Sequence, residues 1–185
     1  MRDDSRGDTY LNTGIQTTNG WDMTFDLRLS EALWFSGSAS IVSGQLKYGP
    51  VNNQNIQTGG NYIQLYSNGA FLTKEVETTY LVRRPSNLNV NVFYKPASSI
   101  LTRIDIKYVG SRYDAYYNSG IGPWGALDVL KIDEYILIDF TLRYEFSKYL
   151  SLSLRMENMF DNKYSEILGY TTRGRGIYCS TFLSF

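Results

Sequence analysis

The sequence predicts an all-β fold of about seven long antiparallel strands that run up and down, as in a segment of a transmembrane β-barrel. Three observations predict this fold. Apolar and polar residues alternate with a period of two along seven segments, these segments are long, and short and long connections alternate between them. No apolar run approaches the roughly 18 residues of a transmembrane helix, so any membrane crossing would use strands.

The first strand covers residues 15–30 and is the longest. Its apolar side chains, such as Trp21, Phe25 and Leu29, lie at odd positions, whereas its charges, Asp22 among them, lie at even positions. Sixteen residues at about 3.3 Å each span roughly 53 Å. Strands of soluble sheets are usually about five or six residues long, so this strand favours a membrane crossing.

Six later segments repeat the alternation. They cover residues 33–42, 88–94, 100–108, 136–146, 150–156 and 175–185. The segment 136–146 is the clearest, because its even positions are all apolar or aromatic and its odd positions from Asp139 onwards are polar or charged. Each segment can therefore place one apolar and one polar face on opposite sides of a sheet.

The connections differ in length at the two ends of the strands. The turns 30–32, 95–99 and 147–149 are short, whereas the links 47–84, 113–134 and 161–174 are long. All short turns fall at one end and all long links at the other, which is typical of outer-membrane barrels. Within the longest link, residues 62–73 surround a Ser-Asn-Gly turn and predict a hairpin.

Periodicity alone does not decide which face is outside. In a barrel the apolar face contacts lipid and the charged face lines the lumen, whereas in a soluble sandwich the apolar face packs inward. Strand length, mixed charges on the polar face and aromatic residues at strand ends favour the barrel. The predicted lumen-facing charges are Arg103, Asp105, Lys107, Asp139, Arg143, Glu145, Arg155, Glu157 and Arg175. A simpler interpretation, which we favour, is that they form ion pairs across neighbouring strands.

The end of the chain carries a recognisable motif. Residues 158–164 read Asn-Met-Phe-Asp-Asn-Lys-Tyr and are followed by Gly169-Tyr170, Gly174-Arg175 and the terminal Phe185. This series resembles the C-terminus of TonB-dependent outer-membrane receptors. The stretches 81–85 (LVRRP) and 108–114 (YVGSRYD) are also similar to the family. Tyr10 and Asn12, followed by Gly20, resemble a further stretch of it, so the resemblance extends over essentially the whole chain.

The resemblance implies that residues 1–185 form one domain, about the last third of a 22-stranded barrel whose plug domain is absent. It implies a fragment of an active-transport receptor that takes up a scarce nutrient (a ferric siderophore, cobalamin, haem or a glycan) with TonB-ExbB-ExbD energy. The implied partners are the lipid bilayer of the Gram-negative outer membrane, the TonB complex through the missing N-terminal part, and the outer-membrane assembly machinery. The odd number of strands agrees with a fragment.

Two further sets of residues are candidates for function. Aromatic residues of the long links are candidates for ligand contact, since loops on rigid scaffolds often carry function; they are Tyr62, Tyr66, Phe71, Tyr116, Tyr117 and Trp124. The terminal Phe185 resembles the signal that the assembly machinery reads on a closing strand.

Composition argues against other classes of function. Eighteen basic residues balance 18 acidic ones, so no nucleic-acid footprint is present. The chain has no His and one Cys, and its carboxylates are spread along strands, so we expect no enzyme activity, metal or cofactor. Two alternatives stay open: a small self-contained barrel of structural or adhesive type with an eighth strand, and a soluble β-sandwich that binds carbohydrate.

Overall fold

The computed structural model describes residues 14–48, 66–67, 70–71, 76–77, 81–121 and 126–185, with side chains for 15–47, 81–121 and 128–185. These residues form twelve strands. In chain order they are β1 Gly14–Arg28, β2 Leu33–Tyr48, β3 Tyr66–Ser67, β4 Ala70–Phe71, β5 Val76–Glu77, β6 Asn87–Ala97, β7 Ile100–Val109, β8 Arg112–Asn118, β9 Ala126–Ile132, β10 Tyr135–Ser147, β11 Leu150–Glu157 and β12 Gly176–Leu183. Among the described residues, no helix is long and apolar enough to span a membrane.

Seven of these strands form one antiparallel sheet in the order β1-β2-β6-β7-β10-β11-β12. They coincide with the seven predicted segments, so the all-β fold and the strand count are confirmed. The short strand β5 pairs with the end of β2 beside this series. Each strand is a direct neighbour of the next one in the series, as in an up-and-down arrangement.

The chain divides into two compact units. The first comprises Met1–Asn19, Ser43–Val82 and Tyr113–Leu130. It contains the hairpin β3–β4, in which Tyr66 pairs with Phe71, so the hairpin predicted in the longest link is confirmed. The second unit comprises Gly20–Val42, Arg83–Arg112 and Lys131–Phe185, and it contains β6, β7, β10, β11 and β12.

One predicted loop contains strands instead. The link 113–134 includes most of β8 and all of β9, which form a separate two-stranded sheet. The sequence of β9, ALDVLKI, has apolar residues at both odd and even positions, so it lacks the alternation by which the other strands were predicted.

The register places the polar positions of neighbouring strands on one face. Ser36 of β2 lies opposite Asn91 of β6, and Asn91 lies opposite Asp105 of β7. Asp105 in turn lies opposite Asp139 of β10. One residue along, Gly37, Val90, Ile106 and Ile138 form the adjacent row. Residues directly opposite one another share a face of the sheet. The sheet of the second unit therefore has one continuous polar face and one continuous apolar face.

The apolar face of this unit is not covered by a second layer of described residues. Ile104, Ile136 and Leu183 are 39%, 47% and 64% exposed. Only Val109, Ile132 and Tyr135 are buried apolar or aromatic residues among those described in the second unit. A sandwich would bury these apolar stripes between two sheets, whereas a barrel wall presents them to lipid.

The short turns have the local chemistry of hairpins. The Ser30 hydroxyl oxygen accepts hydrogen bonds from the backbone N–H groups of Ala32 (3.2 Å) and Leu33 (3.0 Å). The β6–β7 pairing is irregular between Tyr94 and Ala97, which is where Pro96, with no N–H to donate, interrupts the ladder. The predicted turns thus lie between the strands that the sequence assigned to them.

Candidate functional site

The charged residues of the polar face pair mainly along their own strands. Residues two apart in a strand point to the same side, and three ion pairs use this spacing. They are Arg103 Nε to Asp105 Oδ1 (2.6 Å), Arg143 Nη2 to Glu145 Oε1 (3.4 Å) and Arg155 Nη2 to Glu157 Oε1 (2.9 Å). The expected ion pairs are therefore present, but these three connect residues within a strand instead of residues on neighbouring strands.

Two contacts do cross between strands. Arg155 Nη2 of β11 lies 3.9 Å from Asp139 Oδ2 of β10, and Arg103 Nη2 of β7 donates a hydrogen bond to Asn91 Oδ1 of β6 (3.2 Å). The arginine side chains are about half exposed, so each pair contributes about 0–1 kcal/mol to stability. These groups keep accessible hydrogen-bonding capacity that an occupant of the polar face could use.

Aromatic side chains also lie on the polar face near the short turns, and sequence reasoning missed them. Trp34 of β2 and Phe93 of β6 are opposite in register and stack with ring centroids 5.1 Å apart. The Arg103 guanidinium lies 5.3 Å from the Phe93 ring centroid, within the range of cation–π attraction. Trp34 lies at an even position of its strand, as Ser36 and Ser38 do. This alternation was the sequence signal that places Trp34 on the polar face.

The motif at residues 158–164 folds into a compact turn after β11. The buried Asn158 side chain donates from Nδ2 to the Asn162 carbonyl (3.0 Å) and accepts at Oδ1 from the Asn162 N–H (2.9 Å). Its backbone N–H donates to Asp139 Oδ1 (2.8 Å), and Asn162 Nδ2 donates to the Ile136 carbonyl (2.8 Å). The motif therefore ties the start of the last long link to β10.

Asp161 gives the Gly174-Arg175 pair a structural role. The backbone N–H of Arg175 donates to Asp161 Oδ1 (2.9 Å), and Lys163 Nζ lies 3.3 Å from Asp161 Oδ2. A Cβ atom on Gly174 would come to 2.6 Å from Asp161 Oδ1, so a larger residue there would displace the carboxylate. The hydrogen bond from the Arg175 N–H and the Lys163 ammonium lower the pKa of Asp161 below its usual value. The two ends of the link are thereby joined just before β12.

The Asp161 contact predicts a pH dependence for this junction. Because the pKa of Asp161 is lowered in the folded protein, its contribution is complete above the pKa of an unfolded Asp and is lost as the pH falls through the lowered value. We expect the protection of the Arg175 amide against hydrogen exchange to decrease in acid. Asp161→Asn keeps the acceptor oxygen but not the charge. In this variant the protection of the Arg175 amide is expected to be lower than in the parent at neutral pH and to stay constant as the pH falls. An equal acid response in the variant would contradict the assignment.

The predicted ligand-contacting aromatic residues are placed only in part. Tyr62 and Trp124 lie outside the described residues, and Tyr66 and Phe71 are described only as backbone partners in β3–β4. The Tyr116 hydroxyl on β8 donates to Asp128 Oδ2 (3.3 Å), whereas the neighbouring Tyr117 is 62% exposed. Contact of these six residues with a ligand stays a prediction.

The remaining candidates lie at the end of the chain. Arg175 immediately precedes β12, and Phe185 follows it with a fully exposed side chain. Cys179 of β12 is an exposed free thiol, and it shares a row with Leu154 and Leu142 on the apolar face. No group of three or more potential metal ligands occurs among the described residues.

Comparison with known proteins identifies the fold. No protein-family model matches the chain. Among solved structures, FpvAI in its complex with pyocin S2 matches 91% of this chain with a TM-score of 0.61 and 16% identity. The ferripyoverdine receptor of the outer membrane of Pseudomonas aeruginosa also matches 91%, with a TM-score of 0.57 and 17% identity. The sheet has the fold of an outer-membrane receptor barrel wall.

A third match has the same character. The outer membrane transporter YddB from Escherichia coli matches 93% of this chain with a TM-score of 0.58 and 14% identity. These structures are receptors and a transporter, not enzymes, and the resemblance to TonB-dependent outer-membrane receptors is confirmed at the level of fold. The chain covers only 20%, 19% and 26% of the three matched chains, so it has the fold of a part of such a barrel.

Proposed function

We propose that this chain is the C-terminal part of the barrel of a TonB-dependent receptor in the outer membrane of a Gram-negative bacterium. The observation that carries the proposal is the two-faced antiparallel sheet, which has exposed apolar rows on one side, charged rows on the other and the fold of a receptor barrel wall. An apolar face of this kind contacts lipid, and the charged face lines a lumen. The absent strands and a plug domain would belong to the remainder of the protein.

The whole protein, on this proposal, imports a scarce nutrient with energy from the TonB-ExbB-ExbD complex. A ferric siderophore is the first candidate because the matched structures include a receptor bound to ferripyoverdine; cobalamin, haem and glycans are the other candidates. Ligand is captured on the side of the long links, where Tyr62, Tyr66, Phe71, Tyr116, Tyr117 and Trp124 are proposed to contact it. Tyr and Trp suit this role because their rings give rigid amphipathic contacts.

The polar face and the chain end complete the proposed mechanism. The predicted lumen-facing charges would contact the plug or the passing ligand, since their half-exposed ion pairs leave hydrogen-bonding groups accessible. Phe185, fully exposed after β12, would be read by the outer-membrane assembly machinery.

Uptake by whole cells tests the function. We expect that deleting the gene abolishes the uptake of one class of radiolabelled ferric chelate, and that the complete gene restores it. Inactivating TonB in the complemented strain is expected to abolish this uptake again, because import then lacks its energy source. The proposal would be contradicted if the deletion left the uptake of every candidate nutrient unchanged. It would also be contradicted if the restored uptake did not depend on TonB.

A further inference from the structure

Arg112 holds the middle of the last long link through its main chain. Its Nη2 atom donates to the carbonyl oxygens of Ser165 (2.6 Å) and Glu166 (2.7 Å), and its Nε atom also donates to the Glu166 carbonyl (3.2 Å). Hydrogen bonds from an ionised donor are stronger than those between neutral groups. Arg112 is only 6% exposed, so this contact is shielded from water, and it joins Arg112 directly to the link between β11 and β12 within the second unit.

Tyr135 provides a second attachment next to the first. Its hydroxyl donates to Glu166 Oε1 (3.1 Å), and its ring lies 4.5 Å from the ring of Tyr164 between centroids. The Arg112 guanidinium lies 5.7 Å from the centroid of the Tyr135 ring, and Lys107 Nζ lies 3.7 Å from Glu166 Oε1. Tyr135, which is 8% exposed, is therefore the centre of a small cluster on β7, β8 and β10.

The two sides of this contact differ in burial. Arg112 and Tyr135 are buried, and Arg112 Nη1 is buried without a hydrogen-bond partner in the described part of the chain. A buried cation with an unsatisfied donor is costly, so the other contacts must hold it in place. The Glu166 side chain, by contrast, is 54% exposed. The buried side chains of Arg112 and Tyr135 thus contact a half-exposed Glu166 on the link between β11 and β12, which contains no strand.

The link is also fastened between its two arms, where Thr172 Oγ1 donates to the Tyr164 carbonyl (2.6 Å), and near its ends. The Asn158–Asn162 turn fixes its beginning, and Asp161 fixes its end through Arg175. Its tip includes a turn in which the Tyr170 N–H donates to the Ile167 carbonyl (3.2 Å), and these two side chains are 73% and 41% exposed. The attachment at residues 165 and 166 directly precedes this tip, so it contributes to where the tip lies.

We propose that Arg112 and Tyr135 are positioning residues that hold the link between β11 and β12 in one place through Glu166. We call this contact of Arg112 and Tyr135 with Glu166 the latch. The latch fixes where the exposed side chains of Ile167 and Tyr170 lie, and its release would let the tip move while the sheet stays folded. The inference concerns only packing within the second unit, so it goes beyond the proposed function. A failed latch would leave the uptake proposal standing, and failed uptake would leave the latch standing.

Distances between spin labels in the complete protein, folded in detergent micelles, test the latch. The labels are attached at Tyr170→Cys and Asp133→Cys in a Cys179→Ser background, and the parent is expected to show a narrow distance distribution. Arg112→Lys, which loses the forked contact, and Tyr135→Phe, which loses only the hydroxyl, are each expected to widen it at least about twofold. The matched control Tyr108→Phe loses a similar hydrogen bond to Glu134 (3.0 Å) away from the link and is expected to leave it narrow.

Glu166→Ala keeps the test decisive if a buried replacement prevents folding. It removes a half-exposed side chain of the link and leaves the sheet intact, and it is expected to widen the distribution as Tyr135→Phe does. Narrow distributions in both Tyr135→Phe and Glu166→Ala would overturn the proposal. Equal widening in Tyr108→Phe would also overturn it, because the effect would then not be specific to the latch.

Discussion

Replacing Ile138 by Arg is expected to prevent most of the protein from inserting into the outer membrane. Ile138 belongs to an apolar row that runs through Ile106, Val90 and Gly37 on neighbouring strands. A charge at mid-bilayer depth on the lipid face of a barrel costs about 2–4 kcal/mol. The measurement is the fraction of protein that resists urea extraction from the membrane and shows heat-modifiable migration on a gel.

The matched control places the same charge on the other face. Ser38 lies in the adjacent row of β2, opposite Asn89, and Ser38→Arg is expected to insert nearly as well as the parent because its side chain points to the polar face. Thr141 is a poorer control, since it lies opposite both Arg103 and Arg155 and a third Arg there would add like-charge repulsion. Equal insertion of the Ile138 and Ser38 variants would show that the faces are assigned incorrectly.

Replacing Asn158 by Ala is expected to have the second large effect. The Asn158 side chain makes two hydrogen bonds to Asn162 in a buried position, and its backbone has a φ of 46°. The loss of these bonds leaves the backbone N–H and carbonyl groups of Asn162 without their Asn158 partners, and Ala adopts the left-handed conformation less readily than Asn. Together these effects are expected to lower the free energy of unfolding by about 2–4 kcal/mol. Urea unfolding of the protein in lipid vesicles measures this change.

Two variants separate the causes of this loss. Asn158→Gly removes the amide but tolerates the positive φ, so it is expected to be less destabilising than Asn158→Ala. Asn118→Ala removes a similar pair of hydrogen bonds, to the Tyr116 hydroxyl and from the Gly120 N–H, at a position without a positive φ. It is expected to cost about 1 kcal/mol. If Asn158→Ala costs no more than Asn118→Ala, the proposed role of the turn is wrong.

The seven long strands could be predicted because burial of one face imposes a strict period of two. In β10 every even position from Ile136 to Phe146 is apolar or aromatic, and its register with β7 places Ile138 beside Ile106 as the pattern implies. The short turns were equally visible, because each is a brief interruption between two alternating segments. β9 was not predictable in this way, because Leu127, Val129 and Leu130 are apolar at both parities.

The candidate site could be predicted less well than the fold. Alternation places Arg103 and Asp105 on the polar face, but it does not reveal that they pair with each other. The latch depends on residues far apart in the chain, such as Arg112 and Glu166, whose contact arises only in the folded second unit. The motif at 158–164 was recognisable from its sequence, yet the Gly174 contact with Asp161 required the folded turn.

Site-directed spin labelling along β10 tests the central claim most directly. Single labels are placed in turn at residues 137–144 of the complete protein in lipid vesicles, with Cys179 replaced by Ser. The account predicts that even positions collide mainly with oxygen, which dissolves in lipid, and odd positions with a water-soluble nickel chelate, with a period of two. Even positions that are shielded from both reagents would contradict it, because these side chains would then be packed inside a protein core.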